Sequence, residues 1–289
     1  MGEQVKLIGY VDDGARHIGA VDGSHVIPLG EVSAFYADPR AATASADQVT
    51  ERLVRAELVE APPVPRTARV FCVGINYHAH GDESREHSGL DTPKVPMIFG
   101  RWADTLVVDG DPVPVPPNED GLDWEVELAV IIADPVWAAD RATASQHVLG
   151  YTAFNDLSAR KKQLETAQFT LGKNADRSGP IGPVVVTADE IGDPNSLTLR
   201  TRVGDSVMQL GNTRDLIHDI PSIIAYITDT VSLKPGDVIA TGTPAGVGLG
   251  MKPQVYLTAG DTVEVEVENV GVLRTPIVSR ADLAARHEL

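Results

Sequence analysis

The sequence predicts an α+β protein that is mainly β. Short β-branched runs are punctuated by Asp-Gly and Gly-Asp turn pairs, and sustained helical spacing is confined to a few stretches. In the larger part of the chain, strands do not alternate regularly with helices as they would in a doubly wound sheet.

Residues 5–28 read as a β-meander. VKLIGYV, RHIGAV and SHVIPL are strand-length runs separated by the turn signals DDGA and DGS. Over 46–60, ADQVTERLVRAELVE carries Val49, Leu53 and Leu58 with charges between them, which predicts a helix. APPVPR (61–66) is a stiff proline-rich connector and places a domain boundary near 64. The expected division is a small N-terminal domain over 1–64 and a larger one over 65–289.

In the larger part, ARVFCVGIN, PMIFGRW, WEVELAVIIA and PVVVTADEI predict strands, followed by the hairpin LTLRTRVGDSVMQL turning at Gly204-Asp205. TRDLIHDIPSIIAYITDTV predicts a helix with Leu216, Ile220, Ile223, Ile224 and Ile227 on one stripe, kinked or broken at Pro221. Two similar turns, at Gly236-Asp237 and Gly260-Asp261, feed the strands DVIATG and TVEVEVENV.

Composition narrows the function. With 24 basic and 41 acidic residues among 289, the formal net charge is −17, which argues against nucleic acid or an anionic membrane as partner. A small anionic substrate remains compatible if a metal or local Arg and Lys residues reverse the field at its site. The single cysteine, Cys72, sits among Val70, Phe71 and Val73 and reads as a buried, inert thiol in a reducing compartment. No basic segment followed by an apolar run opens the chain, and no apolar run approaches membrane-spanning length. A cytoplasmic protein is expected.

LDWEVELAVII (122–132) carries Asp123, Glu125 and Glu127 into an apolar strand. Side chains two apart in a strand share a face, so the three acids project together. Either that face is wet on an edge strand, or a cation sits there. Asp156, in GYTAFNDLSAR, reads as a helix N-cap or as a third oxygen ligand. Two carboxylates from one strand and one from a following strand end suit Mg²⁺, Mn²⁺ or Ca²⁺. No His or Cys stands at zinc-like spacing beside them.

In CVGINYHAHGDESREH (72–87), His80 and Glu83 are three apart and would pair on a helix, the arrangement of a carboxylate-oriented general base. The other reading is a solvated polar loop. Lys173, in FTLGKNADRSGPIGP, is either a surface lysine or a fixed charge for a developing oxyanion. ATGTPAGVG (240–248) permits close backbone approach to a ligand but lacks phosphate-loop and dinucleotide spacing, so nucleotide binding is rejected.

Five spaced motifs, in order, resemble the fumarylacetoacetate hydrolase family. They are Gly74-Ile-Asn-Tyr77-x-x-His80-x-x-Glu83, Asp123-Trp-Glu125-x-Glu127, Gly150-Tyr-Thr-x-x-Asn155-Asp156-x-Ser158-Ala-Arg160, Gly172-Lys173-x-x-Asp176 through Pro183, and Thr241-Gly-Thr243-Pro244 through Gly248. The resemblance spans about residues 68–279. It implies a mixed β-roll after a small N-terminal domain, in a homodimer. It also implies that Glu125, Glu127 and Asp156 ligate Mg²⁺ or Mn²⁺, with Asp123 behind them. His80 and Glu83 would activate water from a lid, and Lys173 and Gln163 would contact substrate oxygens. Thr243 would meet the substrate carboxylate, and Arg160 and Tyr77 would also face substrate. Two positions depart from the pattern: Lys161 replaces an acid, and Gly100-Arg101-Trp102 replaces a Lys-Pro pair. Both are expected to adjoin the pocket.

The expected reaction is metal-dependent hydrolysis of a C–C bond in an acylpyruvate-like or diketo acid, as in aromatic catabolism. Isomerisation of 2-hydroxyhepta-2,4-diene-1,7-dioate and decarboxylation of oxaloacetate are the alternatives, since each needs the same enolate. A calcium-stabilised β binding module is the non-enzyme alternative, but it would have no use for His80, Glu83 and Lys173.

Overall fold

A computed structural model describes residues 5–89 and 91–285. The first meander forms as its turn pairs dictate, with β1 (Lys6–Asp12), β2 (Ala15–Asp22) and β3 (His25–Glu31) antiparallel in chain order. Asp13 and Gly14 adopt φ values of 46° and 78°, the left-handed geometry of a two-residue hairpin loop. Two short helices follow, α1 (Val32–Phe35) and α2 (Pro39–Ala44).

The helix expected over 46–60 does not form. A 3-10 turn at Ala46–Gln48 leads to β4 (Leu53–Val54), a second such turn at Arg55–Glu57, and β5 (Val59–Ala61). Leu53 pairs with Val26 and Val59 with Val11. Hydrogen bonding to strands already in place outweighs a weak local helix preference, and the apolar residues serve the sheet. The proline connector is packed, not free: Val64 is fully buried, and Tyr36 Oη donates to the Pro63 carbonyl at 2.6 Å.

The rest of the chain supplies β6 (Arg69–Gly74), α3 (His78–Ser88), β7 (Met97–Trp102), β8 (Leu106–Val107) and β9 (Val113–Val115). Next come β10 (Val126–Ile132), β11 (Val148–Asn155), α4 (Arg160–Leu164), α5 (Thr170–Lys173) and β12 (Gly179–Thr187). The hairpin β13 (Thr198–Val203) and β14 (Ser206–Asn212), α6 (Ile220–Thr228) and β15 (Val238–Ala240) follow. The described chain closes with β16 (Thr262–Val267), β17 (Gly271–Ser279) and α7 (Arg280–Ala285).

The predicted helix at 213–231 is shorter than its pattern. Residues Thr213–Asp215 form a 3-10 turn and Leu216 bridges to Tyr77, so α6 begins only at Ile220. Pro221 stands in the first turn, where its missing N–H costs nothing, and Asp219 caps the helix by accepting the Ser222 N–H at 2.9 Å. The proline starts the helix and does not kink it.

Twelve strands form one mixed sheet along the path β4-β3-β2-β1-β12-β11-β10-β15-β6-β7, with β5 on β1 and β8 on β12. Residues 5–64 therefore extend the same sheet, through Lys6 opposite Val186 and Leu7 opposite Val185. A second sheet, β14-β13-β16-β17-β9, packs against β10, β11 and β12. Every residue of β10 and β11 is buried. Side-chain alternation sends Leu128, Val130 and Ile132 into one apolar cluster with Val265, Leu273 and Ile223. Ala129 and Ile131 enter the other with Leu7, Phe35 and Val70. Glu127 shares the parity of Ala129 and Ile131. Among the described residues no helix is long and apolar enough to cross a membrane.

Candidate active site

The carboxylates converge because the ends of β10 and β11 are zipped together. Val126 lies opposite Asn155, the Asp156 N–H donates to the Glu125 carbonyl at 3.0 Å, and Asp123 and Ser158 form an isolated bridge. The Asn155 side chain also accepts the Glu125 N–H at 3.0 Å. Glu125, Glu127 and Asp156 are thereby buried with one carboxylate oxygen each within 4.8 Å of the others. This is the convergence the acid spacing predicts, but not on an edge strand. The N-cap reading of Asp156 does not hold, since α4 follows Ala159 and has no side-chain cap.

Three buried cations lie against these acids. Lys173 Nζ is 2.8 Å from Glu125 Oε2 and 2.7 Å from Asp156 Oδ2. Burial opposes the lysine's charge, but Asp156 and Glu125 outweigh it and raise its pKa. Arg160 donates Nε to Asp123 Oδ2 at 2.7 Å and brings Nη2 to 2.7 Å from Glu125 Oε1, an ion pair off the linear hydrogen-bond direction. Burial would push Glu125 up, yet Lys173 and Arg160 hold it at about 2. Arg101 pairs with Asp156 Oδ1 through Nε at 3.0 Å and through Nη2, while Nη1 reaches Ser178 Oγ at 2.7 Å. Asp123 stands behind the three acids. It accepts the Gly248 N–H at 2.6 Å and the Leu249 N–H at 3.0 Å as well as Arg160.

Glu127 differs from its neighbours. It accepts the Gly242 N–H at 2.8 Å and makes no ion pair among the described residues. Burial, then Asp156 and Glu125, push it well above the ordinary carboxylate range. A buried carboxylate without a cation, aimed at two others, fits a divalent ion as its missing counter-charge. The group offers only carboxylate oxygens, which suits Mg²⁺ or Mn²⁺ better than zinc.

The helix α3 brings the other half of the site. Ile75, at φ 53°, turns the chain sharply out of β6. Asn76 holds that turn, donating to the carbonyls of His218 (3.0 Å) and Thr241 (2.8 Å) and accepting the His218 N–H at 2.8 Å. One turn on, His80 Nδ1 lies 2.9 Å from Glu83 Oε2. With Nδ1 donating to the carboxylate, Nε2 is left as the basic nitrogen of the imidazole.

A single cavity collects His80, Glu83, Glu125, Glu127, Arg160, Gln163, Lys173 and Thr243, with Ile75, Phe99, Phe169, Val247 and Leu249 as apolar walls. Asp156 lies just beneath it, fully buried. Tyr77 does not line the cavity; it is buried beside Leu216, and among the described residues its hydroxyl has no hydrogen-bond partner. Thr243 is oriented by Gln209, whose Nε2 donates to Oγ1 at 2.8 Å. Lys161 does not adjoin the pocket: its Nζ pairs with Asp120 at 2.6 Å on the surface. Arg101 does bear on the site, through Asp156. The sequence marks it only as a departure from the family pattern; an arginine inside the strand-like run PMIFGRW was the available signal. Cys72 is fully buried, and burial first, then Asp156, raises its thiol pKa, as expected for an inert thiol.

The model of the fumarylacetoacetate hydrolase C-terminal domain matches residues 69–278. The chain belongs to the fumarylacetoacetate hydrolase family. A human mitochondrial oxaloacetate tautomerase is 40% identical over 228 residues, covering 78% of this chain and 71% of the relative. The fold is shared with a fumarylacetoacetate hydrolase of Exiguobacterium antarcticum, at 32% identity and TM-score 0.78 over 96% of this chain and 100% of that one. It is shared too with a 2-hydroxyhepta-2,4-diene-1,7-dioate isomerase of Mycobacterium marinum, at 29% identity and TM-score 0.76 over 96% and 99%. The mainly β, mixed-sheet architecture expected from the sequence is that of these family members, which are named as enzymes.

Proposed function

We propose that the protein hydrolyses a C–C bond of a small anionic acylpyruvate-like or diketo acid through an enolate. The observation that carries this reading is the His80–Glu83 pair opening on the same cavity as the carboxylate cluster. A pure tautomerase or decarboxylase has no attacking water for such a pair to activate.

Glu125, Glu127 and Asp156 would hold a Mg²⁺ or Mn²⁺ ion, which when bound supplies Lewis-acid polarisation of the 2-oxo acid. Arg160 and Gln163, joined Nη1 to Oε1 at 2.8 Å, line the cavity as donors for substrate oxygens. Thr243 receives its hydrogen bond from Gln209 and so keeps its own hydroxyl hydrogen for a carboxylate. His80 Nε2 takes a proton from water, whose oxygen bonds to the distal carbonyl carbon. The bond between that carbon and the methylene then breaks, and its electron pair forms the pyruvate enolate. Lys173 stabilises the enolate oxygen as a fixed, buried positive charge. Protonation at the methylene carbon returns the proton and leaves pyruvate and a carboxylic acid.

Tautomerisation of oxaloacetate is the second reading, favoured by the name of the 40% identical human relative. It uses the same enolate with proton transfer alone. Proton NMR of acetylpyruvate and of enol-oxaloacetate, each with enzyme and Mg²⁺, separates the two. The first reading expects pyruvate and acetate in equal amounts, arrested by a chelator. Accelerated keto–enol relaxation of oxaloacetate, with acetylpyruvate intact, would overturn it in favour of the second.

A further inference from the structure

The sequence between Thr243 and Met251 is rich in glycine, and the site described so far uses only part of it. Gly242 donates its N–H to Glu127, and Gly248 and Leu249 donate theirs to Asp123. The loop is thus tied to the segment that carries the acids. On its other side it meets α3. The Gly246 N–H donates to Glu83 Oε1 at 3.2 Å, while Glu83 Oε2 is engaged with His80. The exposed Lys252 and Glu86 side chains pair across the same junction.

At Gly250 the loop lies directly against Glu83. A β-carbon there would fall 1.9 Å from Glu83 Oε1, 2.3 Å from Cδ and 2.5 Å from Cγ. Gly250 is not among the positive-φ glycines, so alanine meets no backbone penalty at this position. The three atoms nearest to that β-carbon all belong to the flexible side chain of Glu83. Gly246 is different: it needs φ 101°, and a β-carbon would meet the Met208 carbonyl at 2.2 Å, so a change there would distort the loop itself.

We propose that Gly250, with the Gly246 backbone N–H, is the seat that positions Glu83 for His80. The proposal rests on the water-activating role argued above for that pair. Gly250 is a positioning residue: it leaves the space that the carboxylate occupies while reaching His80 Nδ1 and the Gly246 N–H together. Because the loop is hydrogen-bonded to Glu127 and Asp123, the seat also registers the base against the carboxylate cluster.

Gly250→Ala tests this in the full-length protein. Displacing Glu83 should lower kcat for acetylpyruvate hydrolysis about tenfold or more, a part of the 10²–10⁴ that a general base supplies. KM and Mn²⁺ affinity should stay at wild-type values. The imidazole ¹⁵N signals of His80, assigned by their loss in His80→Gln, should shift in the metal-free protein. Glu83→Asp shortens the acid by one methylene and clears the new methyl, so Gly250→Ala with Glu83→Asp should lose less than the product of the two single losses. Unchanged His80 signals in Gly250→Ala, or multiplicative losses, would overturn the proposal. So would loss of the cooperative thermal transition, because the side chain and not the backbone is required to give way. If wild type fails to hydrolyse acylpyruvates, the water-activating reading fails by itself, and the His80 signals still decide the seat.

Discussion

His80→Ala is expected to slow acylpyruvate hydrolysis by about 10²- to 10⁴-fold, the usual contribution of a positioned general base. The imidazole hydrogen-bonds Glu83 and is not one of the three clustered ligands, though its charge is felt at Glu125, so Mn²⁺ affinity should change far less than hydrolysis. Enolate chemistry should persist as well, because Lys173 and the carboxylates remain. Deuterium exchange into the methyl group of pyruvate follows that step without any attacking water. Loss of hydrolysis with retained exchange assigns the pair to water activation. Wild-type hydrolysis in a folded His80→Ala protein would show that another group removes the proton.

Arg101→Met should be the most damaging single change to stability in the site. Its guanidinium is fully buried and meets Asp156, Thr105, Ser178 and the Leu157 carbonyl. Removing one partner of a buried ion pair typically costs about 3–5 kcal/mol, because the remaining charge stays desolvated. Lys173 still reaches Asp156, so the lower end, about 3 kcal/mol, is expected from that range. Urea unfolding at neutral pH without metal measures it as a lower midpoint at unchanged slope. An unaltered midpoint would mean that Arg101 contributes nothing to holding Asp156 in place.

The legible parts of the fold were those set by local chemistry. Asp-Gly turns set the first hairpins, and the two-residue spacing of Glu125 and Glu127 put both acids on one face of their strand. The helix carrying His80 and Glu83 was only half legible: three-residue spacing marked the two as a pair if helical, but a run so rich in Gly, Asp, Glu and Ser read equally as a solvated loop. What escaped was decided by distant partners. The stretch 46–60 carries helix-like spacing, but β1 and β3 offered it strand pairing, and no local feature of Leu53 or Val59 announces those neighbours. Pro221 was read as an interruption because the pattern before it looked helical. Leu216 instead answers to Tyr77, some 140 positions earlier in the chain. Lys161 and Arg101 were equally visible as departures, yet one faces solvent beside Asp120 and the other lies under the site. Chain position next to a motif does not tell which way a side chain turns. Gly250 was invisible for the same reason: its meaning lies in the space left for Glu83.

The account divides the site into a carboxylate cradle that binds the ion and a separate pair that handles water. Calorimetric titration of Mn²⁺ into wild type, Glu127→Gln and His80→Ala tests that division most directly. One ion per chain is predicted for wild type and for His80→Ala at similar affinity, with affinity in Glu127→Gln reduced tenfold or more, about 1.4 kcal/mol or above. Equal binding by all three proteins, or loss of binding in His80→Ala with retention in Glu127→Gln, would contradict it.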